Sequence, residues 1–226
     1  METTASGNPA WRVLALAGFL FAAGCAAGPR PLSGTPDAWR IEAERPARVT
    51  FGTVIDVDAP RGLSLWYARP LEGPVAIEFE ALAVSEGGPN DKVSDLNAFW
   101  MASEADGGSP PARGRSGAFG EYDTLQTYYV GIGGNRNSTT RFRRYVGQPG
   151  NRPLLPGHDL ADAETLLVPN RWTRIRLIAD GRRIAVERDG RPLFALDDPH
   201  PYTRGWFALR TTQSHLRFRN LRIGKP

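Results

Sequence analysis

The chain has 226 residues, 41% of them hydrophobic and 10% aromatic, which excludes a disordered polymer and leaves room for one domain with a sizeable core. It carries 28 basic and 24 acidic residues for a net charge of +4, yet only Lys92 and Lys225 are lysines. Arginine interleaved with acid along the whole length excludes a nucleic-acid patch, which concentrates its positive charge. Cys25 is the sole cysteine, so neither a disulfide nor a cysteine-based zinc site can form within the chain.

In chain order, Val13 to Ala23 is an apolar run preceded by Arg12. A bilayer-spanning helix needs about 20 apolar residues, so this shorter run reads as a secretory signal. Ala22, Ala23 and Gly24 directly before Cys25 resemble the bacterial lipobox. That resemblance implies a lipidated Cys25 at the mature N-terminus, with acyl chains holding the protein to a membrane. Ala26, where an aspartate would favour inner-membrane retention, implies an outer-membrane lipoprotein. The expected organisation is a signal peptide over 1–24, a flexible Pro/Gly/Ser tether over 25–36 and a β-domain over 37–226.

Helical periodicity is nearly absent from the remainder. Short alternating runs separated by turn residues predict strands over 39–44, 53–57, 63–68, 74–84, 96–103, 125–134 and 139–147. Residues 104–117, rich in Gly, Pro and Ser, read as a long mobile loop. The C-terminal part predicts strands over 171–180, 183–190, 191–198, 205–212 and 214–224, with Asp-Gly hairpin signals at 180–181 and 189–190. A dozen short strands at this spacing predict an all-β antiparallel sandwich.

The C-terminal order of Trp172, Asp189-Gly190, Gly205, His215 and Phe218-Arg219-Asn220 resembles the concanavalin A-like lectin/glucanase superfamily, and within it the bacterial 3-keto-disaccharide hydrolase domain. The stretches "GPNDKVSDLNAFWMAS", "YYVGIGGNRNSTTRFRRYVG" and "RPLLPGHDL" are similar to an uncharacterised bacterial branch of that superfamily. The resemblance implies a jelly-roll of two curved antiparallel sheets, with sugars lying across the concave face.

Alternation on 139–146 puts Arg141, Arg143 and Tyr145 on one face, and Tyr129 opposes Tyr128, Val130 and Ile132 on the strand before. Tyrosine offers a sugar ring a flat apolar surface with a hydroxyl at its edge. Arginine grips a carboxylate with two parallel donors, which suits a uronate. If the protein is an enzyme, Arg141 and Arg143 would neutralise the uronate while Tyr129 or His158 removes a carbon-bound proton, making it a polysaccharide lyase. Asn97, Trp100, Asn135, Tyr145, Arg210 and His215 are the candidate substrate-binding residues. The competing role for the arginines is cross-strand pairing with acids such as Glu78, Glu80, Asp91 or Asp95. Glu78 and Glu80 share a strand face and could serve a glycoside hydrolase, although the third acid of the jelly-roll glucanase pattern is replaced by Ala83. Asp91, Asp95 and Asn97 do not have the spacing of an EF-hand loop. No metal and no cofactor is expected. The expected partners are a glycan, uronate-containing in the sharper form, and a membrane through the N-terminal lipid. Non-catalytic lectin-like and structural-envelope readings stay open.

Overall fold

The computed structural model describes residues 1–3, 28–32 and 34–226. The apolar run and Cys25, and with them the expectations of signal peptide and lipidation, lie outside the described residues. The alternating segments form strands β1 (Arg30–Pro31), β2 (Trp39–Ala43), β3 (Arg48–Thr50), β4 (Val54–Ala59), β5 (Leu63–Tyr67), β6 (Leu71–Glu72), β7 (Val75–Ala83), β8 (Leu96–Glu104), β9 (Leu125–Gly133), β10 (Thr139–Val146), β11 (Asp159–Leu160), β12 (Thr173–Asp180), β13 (Arg183–Arg188), β14 (Arg191–Asp197), β15 (Arg204–Thr211) and β16 (Ser214–Gly224). No helix among the described residues is long and apolar enough to cross a membrane.

All pairings are antiparallel, and the strands divide into two sheets of eight. The back sheet runs β14-β13-β12-β7-β16-β4-β3, with β1 added on β16; the front sheet runs β11-β10-β9-β8-β15-β5-β2, with β6 added on β15. This is the concanavalin-like jelly-roll that the alternation and turn spacing predict. Asp189 and Gly190 both adopt positive φ, 51° and 79°, as the tight hairpin between β13 and β14 requires.

One face of each sheet closes the core. Ile77, Phe79, Leu216 and Phe218 of the back sheet meet Leu65, Tyr128, Phe142 and Phe207 of the front sheet, all buried. Burying each such side chain is worth about 1.5–3 kcal/mol. Trp100 belongs to this core and stacks on Phe142 at 5.8 Å between ring centroids, so it is not available to a ligand as expected. The strand parity that turns Phe99 outward turns Trp100 inward, and a register shift follows between Trp100 and Ser103.

Two segments depart from expectation. Within the tether, residues 30–32 are docked: β1 pairs with Arg222 and Ile223 of β16, the Leu32 amide donates to the Leu221 carbonyl at 2.9 Å, and Leu32 is buried. Pro31 fits there because an added edge strand tolerates a missing amide. Residues 104–117, expected to be a mobile loop, instead carry α1 (Pro110–Arg113) with Pro110 buried, and just beyond them a 3-10 turn (Phe119–Thr124) packs onto the outer face of the front sheet.

Candidate functional site

Two rows of side chains cross the outer face of the front sheet. Backbone pairing aligns Glu42, Ser64, Arg210, Asn97, Gly131, Arg141 and Asp159 in one row across seven strands. The next row is Arg40, Trp66, Ala208, Phe99, Tyr129 and Arg143. The first row is polar apart from Gly131, and the second carries the aromatic side chains of Trp66, Phe99 and Tyr129.

Residues 115–124 form a strap over the aromatic row. Tyr122 stacks on Phe99 at 5.4 Å and Phe119 meets Tyr129 at 5.7 Å. Glu42 is the strap's polar anchor. Its carboxylate accepts from the Tyr122 hydroxyl at 2.7 Å, the Trp66 indole at 2.8 Å and the Arg115 amide at 2.8 Å. The Arg115 guanidinium in turn pairs with Glu104 at 2.7 Å. Gly117 lets the strap lie this close: its φ is +95°, and a Cβ there would sit 2.8 Å from the backbone of Ala43, Glu44 and Gly62.

Arg210 lies under the strap, 1% exposed. Its Nη1 donates to the Ser64 hydroxyl at 2.9 Å and the Gly117 carbonyl at 3.0 Å. The guanidinium carbon sits 5.0 Å from the Phe119 ring centre and 4.6 Å from that of Tyr122. Its Nε and Nη2 have no hydrogen-bond partner among the described residues, nor does the Oδ1 of the neighbouring Asn97. Leaving a buried charged donor unmatched costs upward of roughly 1–3 kcal/mol, so this is a costly arrangement for the fold alone. A hollow of about 480 Å³ opens onto Arg210 and Phe119, rimmed by Glu44, Arg61, Gly62, Thr212 and Gln213. A Cβ at residue 62 would lie 2.2 Å from Glu44 Oε1, 2.5 Å from the Gly117 carbonyl oxygen and 3.1 Å from Nη2, so only glycine fits between them.

The expected residues separate into two groups. Asn97, Tyr129, Arg141, Arg143, Tyr145 and Arg210 all stand on the outer face of the front sheet. Arg141 is taken up by the carboxylate of Asp159, Nε at 2.8 Å and Nη2 at 3.0 Å, an acid outside the expected set. Arg143 donates from Nη1 to the Arg152 carbonyl. Tyr129 lies over Gly131, where a Cβ would fall 2.5 Å from its hydroxyl oxygen and 2.9 Å from Asn97 Oδ1. Burial pushes the Tyr129 hydroxyl well above its ordinary range, with Tyr145 and Asp95 adding to the shift. Burial likewise pushes Tyr145 up to about 12.

The other group lies elsewhere. His158 packs at the sandwich edge against Phe142 and Phe194, 4.9 and 5.7 Å between ring centroids, with Nε2 3.0 Å from the Ala195 carbonyl. It is a plug between the sheets, away from the front face. His215 projects from the back sheet, its Nδ1 3.0 Å from Asp91 and its Nε2 3.1 Å from Asp56. Asn135 occupies a left-handed turn at φ 53° and donates to the Thr139 hydroxyl at 3.1 Å. Glu78 and Glu80 are also on the back sheet, with Glu80 held by Arg219 at 2.7 Å and Asn220 at 3.1 Å. Sequence reasoning missed Glu42, Ser64, Phe119 and Tyr122. The aromatic pair inside "GAFGEYDT", in a stretch otherwise composed like a loop, was the available signal.

A jelly-roll sandwich with a strapped front sheet and a polar hollow at its rim places the chain among proteins of galectin- and concanavalin-like architecture. Over residues 57–221 it belongs to the family described as Domain of unknown function (DUF6250), an uncharacterised branch of the kind the central motifs suggest. No curated protein matches it in sequence. Among solved structures it is similar to a protein of unknown function with galectin-like fold from Bacillus subtilis, at 15% identity over 89% of this chain and 96% of that one, with a TM-score of 0.64. It is also similar to the carbohydrate binding module CBM66 from Bacillus subtilis, at 12% identity over 88% and 97% of the two chains, with a TM-score of 0.53. The Emp47p carbohydrate recognition domain is similar at 15% identity over 87% and 94%, with a TM-score of 0.54. These likenesses establish the fold.

Proposed function

We propose that this protein is an exported glycan-binding protein that takes an acidic sugar at the front-sheet hollow. One observation carries the reading: the buried guanidinium of Arg210 keeps Nε and Nη2 unpaired beside an open hollow. Two adjacent donors on one planar group match the two oxygens of a carboxylate. The Phe119 ring beside them offers the apolar surface on which a sugar ring packs. Two of the similar solved structures are named for carbohydrate binding, which supports the glycan class. In this reading Cys25 carries lipid and tethers the protein to the outer membrane.

Elimination at a uronate is a second reading, favoured by the Tyr129 hydroxyl, which makes no hydrogen bond among the described residues and lies beside Asn97 Oδ1. It is the weaker one. A base must give up its proton near neutral pH, and burial holds that of Tyr129 firmly in place. Hydrolysis through Glu78 and Glu80 has no support on the front face.

Calorimetric titration of the full chain with uronate oligosaccharides and their neutral counterparts tests both readings. The expected result is saturable binding of the uronate forms, weakened by salt, with no rise in the absorbance of an unsaturated product. Binding of neither class would overturn the glycan reading. Release of unsaturated product would replace binding with elimination.

A further inference from the structure

A second hollow, of about 330 Å³, opens on the outer face of the back sheet and is lined by Pro29, Glu78, Arg174, Arg176, Arg222 and Lys225, with Glu187 at its side. Four cations face two acids there. Arg176 leans toward Glu187 at 3.4 Å. The side chains of Arg174, Arg222 and Lys225 form no ion pair or hydrogen bond among the described residues, so positive charge is left over on this face.

Two further observations say what covers it. The first is where the tether leaves the domain. Pro29 lines the hollow, and β1 immediately after it is fixed by backbone pairing to Arg222 and Ile223 of β16, the strand that supplies Arg222. Cys25 precedes Pro29 by four residues, a length that reaches at most about 14 Å. A lipid on Cys25 therefore keeps the bilayer surface within reach of this face. The second is Trp172, on the same face, with the Arg219 guanidinium 4.0 Å from its ring centre. It is half-buried, whereas Trp39, Trp66, Trp100 and Trp206 are buried. An accessible indole among arginines suits the headgroup layer of a membrane.

We propose that the outer face of the back sheet docks on the anionic phosphate headgroups of the anchoring membrane, with Arg174, Arg222 and Lys225 over the phosphates and Trp172 in the interface. The proposal rests on the reading of the N-terminal segment as a membrane anchor, and not on the glycan reading. It leaves the outer face of the front sheet on the side away from the bilayer.

The test anchors the full chain in phosphatidylcholine vesicles with brominated acyl chains, with or without phosphatidylglycerol, and reads tryptophan emission. Subtracting the Trp172→Phe variant isolates the indole on this face. Anionic lipid is expected to quench that signal by about twofold, and raised salt is expected to reverse the quenching. The double variant Arg174→Glu/Arg222→Glu is expected to lose it. Equal quenching without phosphatidylglycerol, or none with it, overturns the proposal. So does inorganic phosphate in solution if it moves Trp172 emission as anionic vesicles do, because the hollow is then a free-anion site. Flotation separates the remaining case: a chain that floats with neither vesicle lacks the anchor, and the docking face falls with it.

Discussion

At the scale of single residues, Arg210 sets ligand recognition against stability. Its Nη1 makes two hydrogen bonds, and its flat face rests between Phe119 and Tyr122. Against these stand two buried N–H groups with no partner. Hydrogen bonds made by a charged group contribute about 1.5–3 kcal/mol each, and an unmatched buried donor costs about 1–3 kcal/mol, so the two sides nearly cancel. Arg210→Met keeps the stem's packing and removes both the charge and the mismatch. It is expected to change unfolding stability by no more than about 1 kcal/mol in denaturant titration, while uronate binding falls at least tenfold. A loss of about 3 kcal/mol or more would mark Arg210 as structural and withdraw it from the site. Arg141 shows the opposite balance. Both oxygens of Asp159 already satisfy its fork, and the Asp159 contact is the first cause holding its guanidinium pKa above the ordinary value.

Among the elements, the strap over residues 115–124 decides how the front sheet is used. It covers the aromatic row, supplies the carbonyl that steadies Arg210 and places Phe119 at the hollow. Its close approach depends on Gly117, where a side chain would meet backbone on both sides. Gly117→Ala adds a Cβ at positive φ and against those atoms, which strains the strap off the sheet. The expected outcome is a loss of about 1–3 kcal/mol, or several degrees in Tm for a domain of this size, with new proteolytic cleavage within 105–124. An intact strap in that variant would show that the contacts at Glu42 suffice without the close approach. The strap also marks the limit of what local pattern conveys. The strands were legible because alternation has to match the pleat wherever one face is buried. That parity also sorted Tyr129, Arg141, Arg143 and Tyr145 correctly onto one face. Which sheet a strand joins is a long-range matter. His215 on the last strand therefore looked like a site residue, although β16 lies at the centre of the back sheet between β7 and β4. The strap's composition resembles an unpaired loop, and only contact with the sheet reveals what Phe119 and Tyr122 do.

Across the whole molecule, a set of carboxylates joins parts that the apolar core leaves separate. Asp198 follows the last residue of β14 on the back sheet, yet it accepts from the Tyr128 hydroxyl at 2.7 Å and Arg144 Nε at 2.6 Å, both on the front sheet. Asp56 of β4 receives Arg217 Nε at 3.0 Å, faces His215, and pairs with Arg48 of β3 at 3.1 Å. Asp91 faces the other side of His215 and accepts the Glu86 and Gly88 amides at 2.8 and 2.9 Å, which holds the 86–91 loop on the back sheet. Burial alone would raise these carboxyls. For Asp198 the contacts with Arg144 and Tyr128 outweigh it, for Asp56 those with Arg217 and His215, and for Asp91 the backbone amides and His215, so all three lie below the ordinary aspartate value of 3.8. A carboxyl held lower in the folded state than in the unfolded chain stabilises fully above the unfolded pKa, and its contribution disappears as pH falls through the folded one. Stability should therefore stay level near neutrality and drop below about pH 4. Denaturant midpoints taken from about pH 6 down to about pH 3 read this directly. Asp198→Asn cannot titrate, so it should begin with a lower midpoint at about pH 6 and lose less on acidification than the unmodified chain. Parallel acid profiles for the two proteins would mean that the bridge between the sheets takes no part in the acid response, and that the loss arises at other carboxyls held low, Asp56, Asp91, Glu80 and Glu121 among them.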